Sequence, residues 1–117
     1  MSTDFVRRAD EVAEGVGLLR QAAPDAMKGF AALGMAATAS RALDAKTKEL
    51  MALAIGIAVH CDGCVAYHTR AALKHGATRE EVAETAALAL YMGGGPAAVY
   101  GADALRAYDQ MSRDAGA

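Results

Sequence analysis

Ten consecutive apolar residues, LMALAIGIAV at positions 50–59, form the longest hydrophobic stretch of this 117-residue chain. They limit the folds open to it. Ten residues cannot cross a bilayer, which takes about 20. The run has no period-two alternation and is preceded by the polar DAKTKE, so it reads as a helix apolar nearly all round, central and buried. The rest of the chain agrees. Valines are few and isolated, and no segment alternates as a half-buried strand does.

Helix punctuation divides the sequence into six helices. A first over about 4–20 sets Phe5, Val12, Val16 and Leu19 on one face. Pro24 suits the first turn of a second, about 24–38, which carries Met27, Phe30, Leu33 and Met35. Asp44 can cap a third, about 45–59. A fourth starts near Asp62 or Gly63 and runs to His75, with Gly76 at the left-handed C-terminal position. TREE at 78–81 is a capping box for a fifth, about 79–92. Gly93 to Gly95 stop it, and Pro96 opens a sixth, about 96–112. The expected fold is therefore all-α, one domain over 1–117. The methionines at 27, 35, 51 and 92 are expected in its core, and Tyr67 and Tyr91 in the core or an interface.

Composition narrows the function classes. The chain is 54% hydrophobic and 22% charged, with net charge −2. Its basic residues are interleaved with acids, so no nucleic-acid surface is expected. MSTDFVRRADEVAEG has no apolar run after a basic start and does not read as a signal peptide. No membrane association and a cytoplasmic location are expected. In a reducing compartment, two cysteines three apart point to catalysis or metal binding before a permanent staple.

Those cysteines stand in HCDGCVAYH, residues 60–68. Cys61 falls just past the buried helix and Cys64 in the first turn of the next. The unpaired N–H groups and positive end of that helix stabilise a thiolate. One thiolate can attack a peroxide or disulfide, and the second cysteine resolves the intermediate. His68 follows Cys64 by four residues, on the same helix face, placed to take its proton. Glu49 lies 12 residues before Cys61, about 18 Å down a helix, and is within reach of His68 if the two helices return antiparallel. The helix dipole and His68 favour Cys64 as the attacking thiol, and loop exposure favours Cys61. A zinc site would need both cysteines, His68 and a fourth ligand from Glu49 or His60. Buried inert thiols are a further reading. Val65 directly after the second cysteine excludes covalent haem.

The segment KELMALAIGIAVHCDGCVAYHTRAALKHGATREEVAETAALALYMGGGPA resembles the core of the alkylhydroperoxidase-D-like family, also called the carboxymuconolactone decarboxylase family. The family's redox pattern is Glu, eleven residues, Cys-x-x-Cys, three residues, His. Glu49, Cys61, Cys64 and His68 stand at those intervals, and the likeness covers roughly 43–108. The resemblance implies an all-α thiol-dependent hydroperoxide reductase or thiol oxidoreductase, assembled as a hexamer or else a trimer. Cys61 and Cys64 would be its redox pair, with Glu49 and His68 as a proton relay. Its partners would be a small hydroperoxide and a dithiol or thioredoxin-like reductant, with no bound cofactor required. Some peroxidase members carry a histidine just before the second cysteine, where this chain has Gly63, and His60 is a candidate substitute. The rivals are a decarboxylase or lactone-handling enzyme, which does not need Cys-x-x-Cys, and a redox-sensing oligomer subunit.

Overall fold

The computed structural model describes residues 3–115; the one-domain reading also takes in residues 1, 2, 116 and 117, which lie outside them. The fold is all-α, as expected, with α1 (Phe5–Ala22), α2 (Pro24–Thr38), α3 (Ala45–Ala58), α4 (Asp62–Lys74), α5 (Arg79–Gly93) and α6 (Gly95–Asp114). Among the described residues there is no strand.

The boundaries follow from local chemistry. Asp4 and Asp44 cap α1 and α3 by accepting the N–H groups of Arg7 (3.0 Å) and Thr47 (2.8 Å). α1 runs two residues past its expected end, because nothing interrupts it before Pro24 forces the preceding residue out of helical geometry. The capping box of α5 is complete: Glu81 accepts from Thr78 N–H at 2.8 Å, and the Thr78 hydroxyl accepts from Glu81 N–H at 3.1 Å. The glycine break between α5 and α6 falls at Gly94, with φ +79°, so Gly93 and Gly95 are helical. α6 continues to Asp114, two residues beyond expectation.

α3 packs on α4, α5 and α6, and α1 covers α4 and α6. Leu53 and Ile57 of α3 meet Val65, Val82, Ala89, Ala97 and Ala104 in the main core. A second cluster joins Phe5 and Ala9 of α1 to Ala66, Ala107 and Met111. Alanine at so many contact points lets the helices approach closely.

Several expected core positions are corrected. α3 buries Leu53, Gly56 and Ile57, but Met51, Ile55 and Val59, spaced four apart, form an exposed stripe. α2 buries no residue; Met27 is half-buried, while Phe30, Leu33 and Met35 are exposed. Met92 and Leu19 are exposed, and Val12 and Val16 are half-buried; Tyr67 and Tyr91 are exposed, which removes the core and keeps the interface in their expected placement. Hydrophobicity marks what gains by leaving water. It does not say that the cover comes from the same chain. α2 leans on α1 and touches α3, which leaves its outer face without an intramolecular neighbour.

Three carboxylates make bonds at the starts of α3 and α5. The Lys46 ammonium, 2.8 Å away, and then Thr78 N–H hold Glu81 below the usual carboxylate range. Hydrogen bonds from Thr47 lower Asp44, and the Arg79 guanidinium lowers Asp109. Groups with depressed folded values stabilise fully above their unfolded values, here 4.5 for Glu81 and 3.8 for the aspartates, and lose that contribution as pH falls through the folded values. The thermal midpoint should therefore stay level from about pH 7 to 5 and drop below about pH 4.5. Glu81→Gln should be less stable at neutral pH and show a shallower acid drop in a series of melting curves. Coincident acid limbs would mean that the Glu81 contacts contribute nothing.

Candidate active site

The site is built on the α3–α4 hairpin. α3 ends in a Schellman motif: His60 N–H donates to Ile57 C=O at 3.3 Å and Cys61 N–H to Gly56 C=O at 3.0 Å. α4 ends in the same way, through Gly76 and Ala77, with Gly76 in the left-handed conformation at φ +88°. After α3 that left-handed position is held by His60, at φ +61°. Its imidazole stacks on Tyr100 of α6, with centroids 5.0 Å apart and planes 10° from parallel.

Cys61 then caps α4. Its sulfur accepts the N–H of Cys64 at 3.1 Å, the bond a serine or aspartate oxygen makes at other helix starts. Cys61 and Cys64 are joined by a disulfide, their Cα atoms 5.2 Å apart. Both are half-buried. On reduction, a sulfur at the cap position faces the positive end of a 13-residue helix, an environment that favours thiolate.

Gly56 seats the second cysteine. A β-carbon at Gly56 would stand 2.9 Å from the Cys64 β-carbon, closer than such atoms come. The same glycine supplies the carbonyl that receives Cys61 N–H, so one residue of α3 touches both cysteines. Farther down the hairpin, Nδ1 of His68 lies 2.7 Å from Oε1 of Glu49. Glu49 is buried, at 7% exposure, and His68 is half-buried. An ionised carboxylate only accepts, so with Glu49 in that form the shared hydrogen sits on Nδ1.

The four residues singled out by spacing thus all lie on one hairpin. The structure bonds Cys61 to Cys64 and brings Glu49 against His68, the contact that spacing allowed without fixing. Sequence reasoning missed Gly56 and Arg8. A glycine inside an apolar helical run is a signal for close approach. Arg8 carried none: it meets Asp62 across 54 residues of chain, Nε to Oδ2 and Nη2 to Oδ1 both at 3.3 Å. Gly63 is buried beneath α1, and a β-carbon there would stand 3.0 Å from Val12 Cγ2. Among the described residues, no three His, Cys, Asp or Glu side chains are grouped so as to hold a metal ion, and no helix is long and apolar enough to cross a membrane.

The sequence model of the carboxymuconolactone decarboxylase family matches residues 24–107. The chain belongs to this family. An uncharacterized protein of Cupriavidus necator is 44% identical over 112 residues, which is 96% of this chain and 99% of that one. A Paracoccus denitrificans protein described as uncharacterized protein 4 in the cox locus is 34% identical over 82 residues, 70% of this chain and 74% of its own. The fold of an apo carboxymuconolactone decarboxylase family protein from Legionella pneumophila, known from a crystal structure, matches with a TM-score of 0.89. It is 42% identical and covers 95% of this chain and 99% of its own. The family includes enzymes, and the all-α hairpin carrying Cys61 and Cys64 is this chain's version of its fold.

The close contact at Gly56 is testable by its cost. Gly56→Ala forces a β-carbon onto the Cys64 side chain and should destabilise by about 1–3 kcal/mol. Gly15→Ala, on a helix with nothing within 4 Å, should stabilise by up to about 1 kcal/mol. Denaturant midpoints of the two variants should move in opposite directions. A Gly56→Ala midpoint equal to wild type would show that the hairpin has slack there and that Gly56 does not fix Cys64.

Proposed function

We propose that the protein is a thiol-dependent hydroperoxide reductase that uses Cys61 and Cys64 as its redox pair and Glu49 and His68 as its proton relay. The observation that carries the reading is one hairpin holding both a Cys-x-x-Cys disulfide at a helix start and the buried Glu49 carboxylate against half-buried His68. In the reduced protein Nε2 of His68 takes the thiol proton, and Glu49 stabilises the imidazolium that forms. The thiolate attacks the terminal oxygen of a small hydroperoxide. The O–O bond breaks, the alkoxide leaves as alcohol with that proton, and the attacking sulfur becomes a sulfenic acid. The second thiol, losing its proton, attacks that sulfur; the S–O bond breaks, water departs and the disulfide forms. A dithiol or thioredoxin-like protein returns two electrons and two protons by thiol–disulfide exchange. No bound cofactor enters this cycle, and a reducing cytoplasm suits it.

We place this chemistry in a homo-oligomer, a hexamer before a trimer. Support comes from the large apolar side chains left in water: Phe30 is 61% exposed, Met35 76% and Tyr91 84%. Apolar surface on this scale marks an interaction site.

Titrating the reduced protein with cumene hydroperoxide should consume two thiols per peroxide. General-base assistance is worth about 10²–10⁴ in rate, so His68→Ala should slow that consumption by this range, and Glu49→Gln by less. Thiols that survive excess hydroperoxide yet close readily with oxidised dithiothreitol would replace the peroxidase reading with a thiol oxidoreductase. Light scattering at micromolar concentration should give a mass well above 12.0 kDa. A monomer would overturn the assembly.

A further inference from the structure

The two residues between the cysteines are gripped from outside the hairpin. Arg8, in the first turn of α1, forms a two-pronged ion pair with Asp62. Its Nη2 also lies 3.2 Å from where a Gly63 β-carbon would be, with Val12 closing the other side at 3.0 Å. A β-carbon at Gly63 would make both of these side chains give way by a few tenths of an ångström. The base of the grip is fixed, since Phe5 and Ala9 on either side of Arg8 are buried against Ala66, Ala107 and Met111. The ion pair itself stays in water, Arg8 at 35% and Asp62 at 56% side-chain exposure, so it contributes little to stability. Its position is more telling. It brings a permanent positive charge to the helix start where Cys61 is the cap.

We propose that Arg8 is a positioning residue of the Cys61–Cys64 couple, holding Asp62 and Gly63 in place and keeping its charge beside the sulfurs so that the reduced pair favours thiolate. The proposal rests on the redox reading of that pair. Other charged or titratable groups lie on the elements around the hairpin. Glu49 of α3 pairs with His68 of α4 farther down the hairpin; His60 lies in the connection, stacked on Tyr100 of α6; and Asp10 of α1 pairs with Arg70 farther along α4. All of these stay unchanged when Arg8 or Asp62 is replaced, so the two substitutions isolate one ion pair.

The charges in that pair partly cancel, and the variants therefore have opposite signs. Arg8→Gln leaves Asp62 as an unbalanced negative charge next to Cys61. Asp62→Asn leaves Arg8 unbalanced. Iodoacetamide alkylation of the reduced full chain, followed against pH, should show about three- to tenfold less thiolate at pH 7 in Arg8→Gln and more than wild type in Asp62→Asn. Arg8→Lys keeps the charge and should stay near wild type. Equilibration with glutathione reads the same effect: the disulfide and two glutathiones give the dithiol and one oxidised glutathione. Arg8→Gln should lie further toward disulfide and Asp62→Asn further toward dithiol. Profiles that overlay wild type, or that move together in one direction as loss of a mere packing contact would make them, overturn the proposal. Wild-type thiols that alkylate only near the free-thiol value of about 8.5 would sink the redox reading itself, and the proposal with it.

Discussion

The separation of α3 and α4 is set where Gly56 has no side chain. At that point the Cys64 β-carbon fills the space that a β-carbon of α3 would take. Helix axes that meet this closely at one end of a hairpin bring facing side chains into contact farther along it. Glu49 and His68 are those side chains. A carboxylate as buried as Glu49 is costly unless a hydrogen-bonding partner comes with it. His68 is that partner, so the position of this pair follows from the same close approach that seats the cysteine.

Large and small residues are distributed unusually about this hairpin. Contacts between helices are dominated by alanine, as at Ala9, Ala66, Ala89, Ala97, Ala104 and Ala107. Many of the bulkiest apolar side chains, among them Phe30, Leu33, Met35, Tyr91 and Met92, point outward. Small contact residues permit close packing but bury little area each, and hydrophobic stabilisation scales with area. The chain therefore keeps much of its apolar surface unspent, and α2, with no buried residue of its own, is the clearest case. The homo-oligomer proposed above would give that surface its cover.

Much of this was legible from residue order. Asp44, Thr78 with Glu81, Pro24 and Gly76 act through bonds spanning a few residues, so they mark helix ends wherever they occur. The interval from Glu49 to His68 was legible as a pattern, but their contact depends on how two helices cross, which spacing does not fix. The burial of α3 was only half legible. Its sequence is apolar on every side, and Met51, Ile55 and Val59 stay exposed because no helix among the described residues covers them. The ion pair of Arg8 with Asp62 was not legible at all, because it joins the first turns of helices that are not neighbours in sequence.

The connection from α3 to α4 is not built for the greatest local stability. A left-handed residue with a β-carbon costs on the order of 1 kcal/mol relative to glycine, and α4 uses glycine at the equivalent place. His60 accepts that strain, and its stack on Tyr100 offsets it by a similar amount. The result is a cysteine-bearing turn tied to α6 through His60, to α3 through Gly56 and to α1 through Arg8. None of these three ties passes through the sulfur–sulfur bond. Reduction can therefore open the disulfide while the supports on either side of it remain, and two thiols held in this way close again without first searching for one another. A couple meant to cycle needs that property, whereas a permanent staple does not.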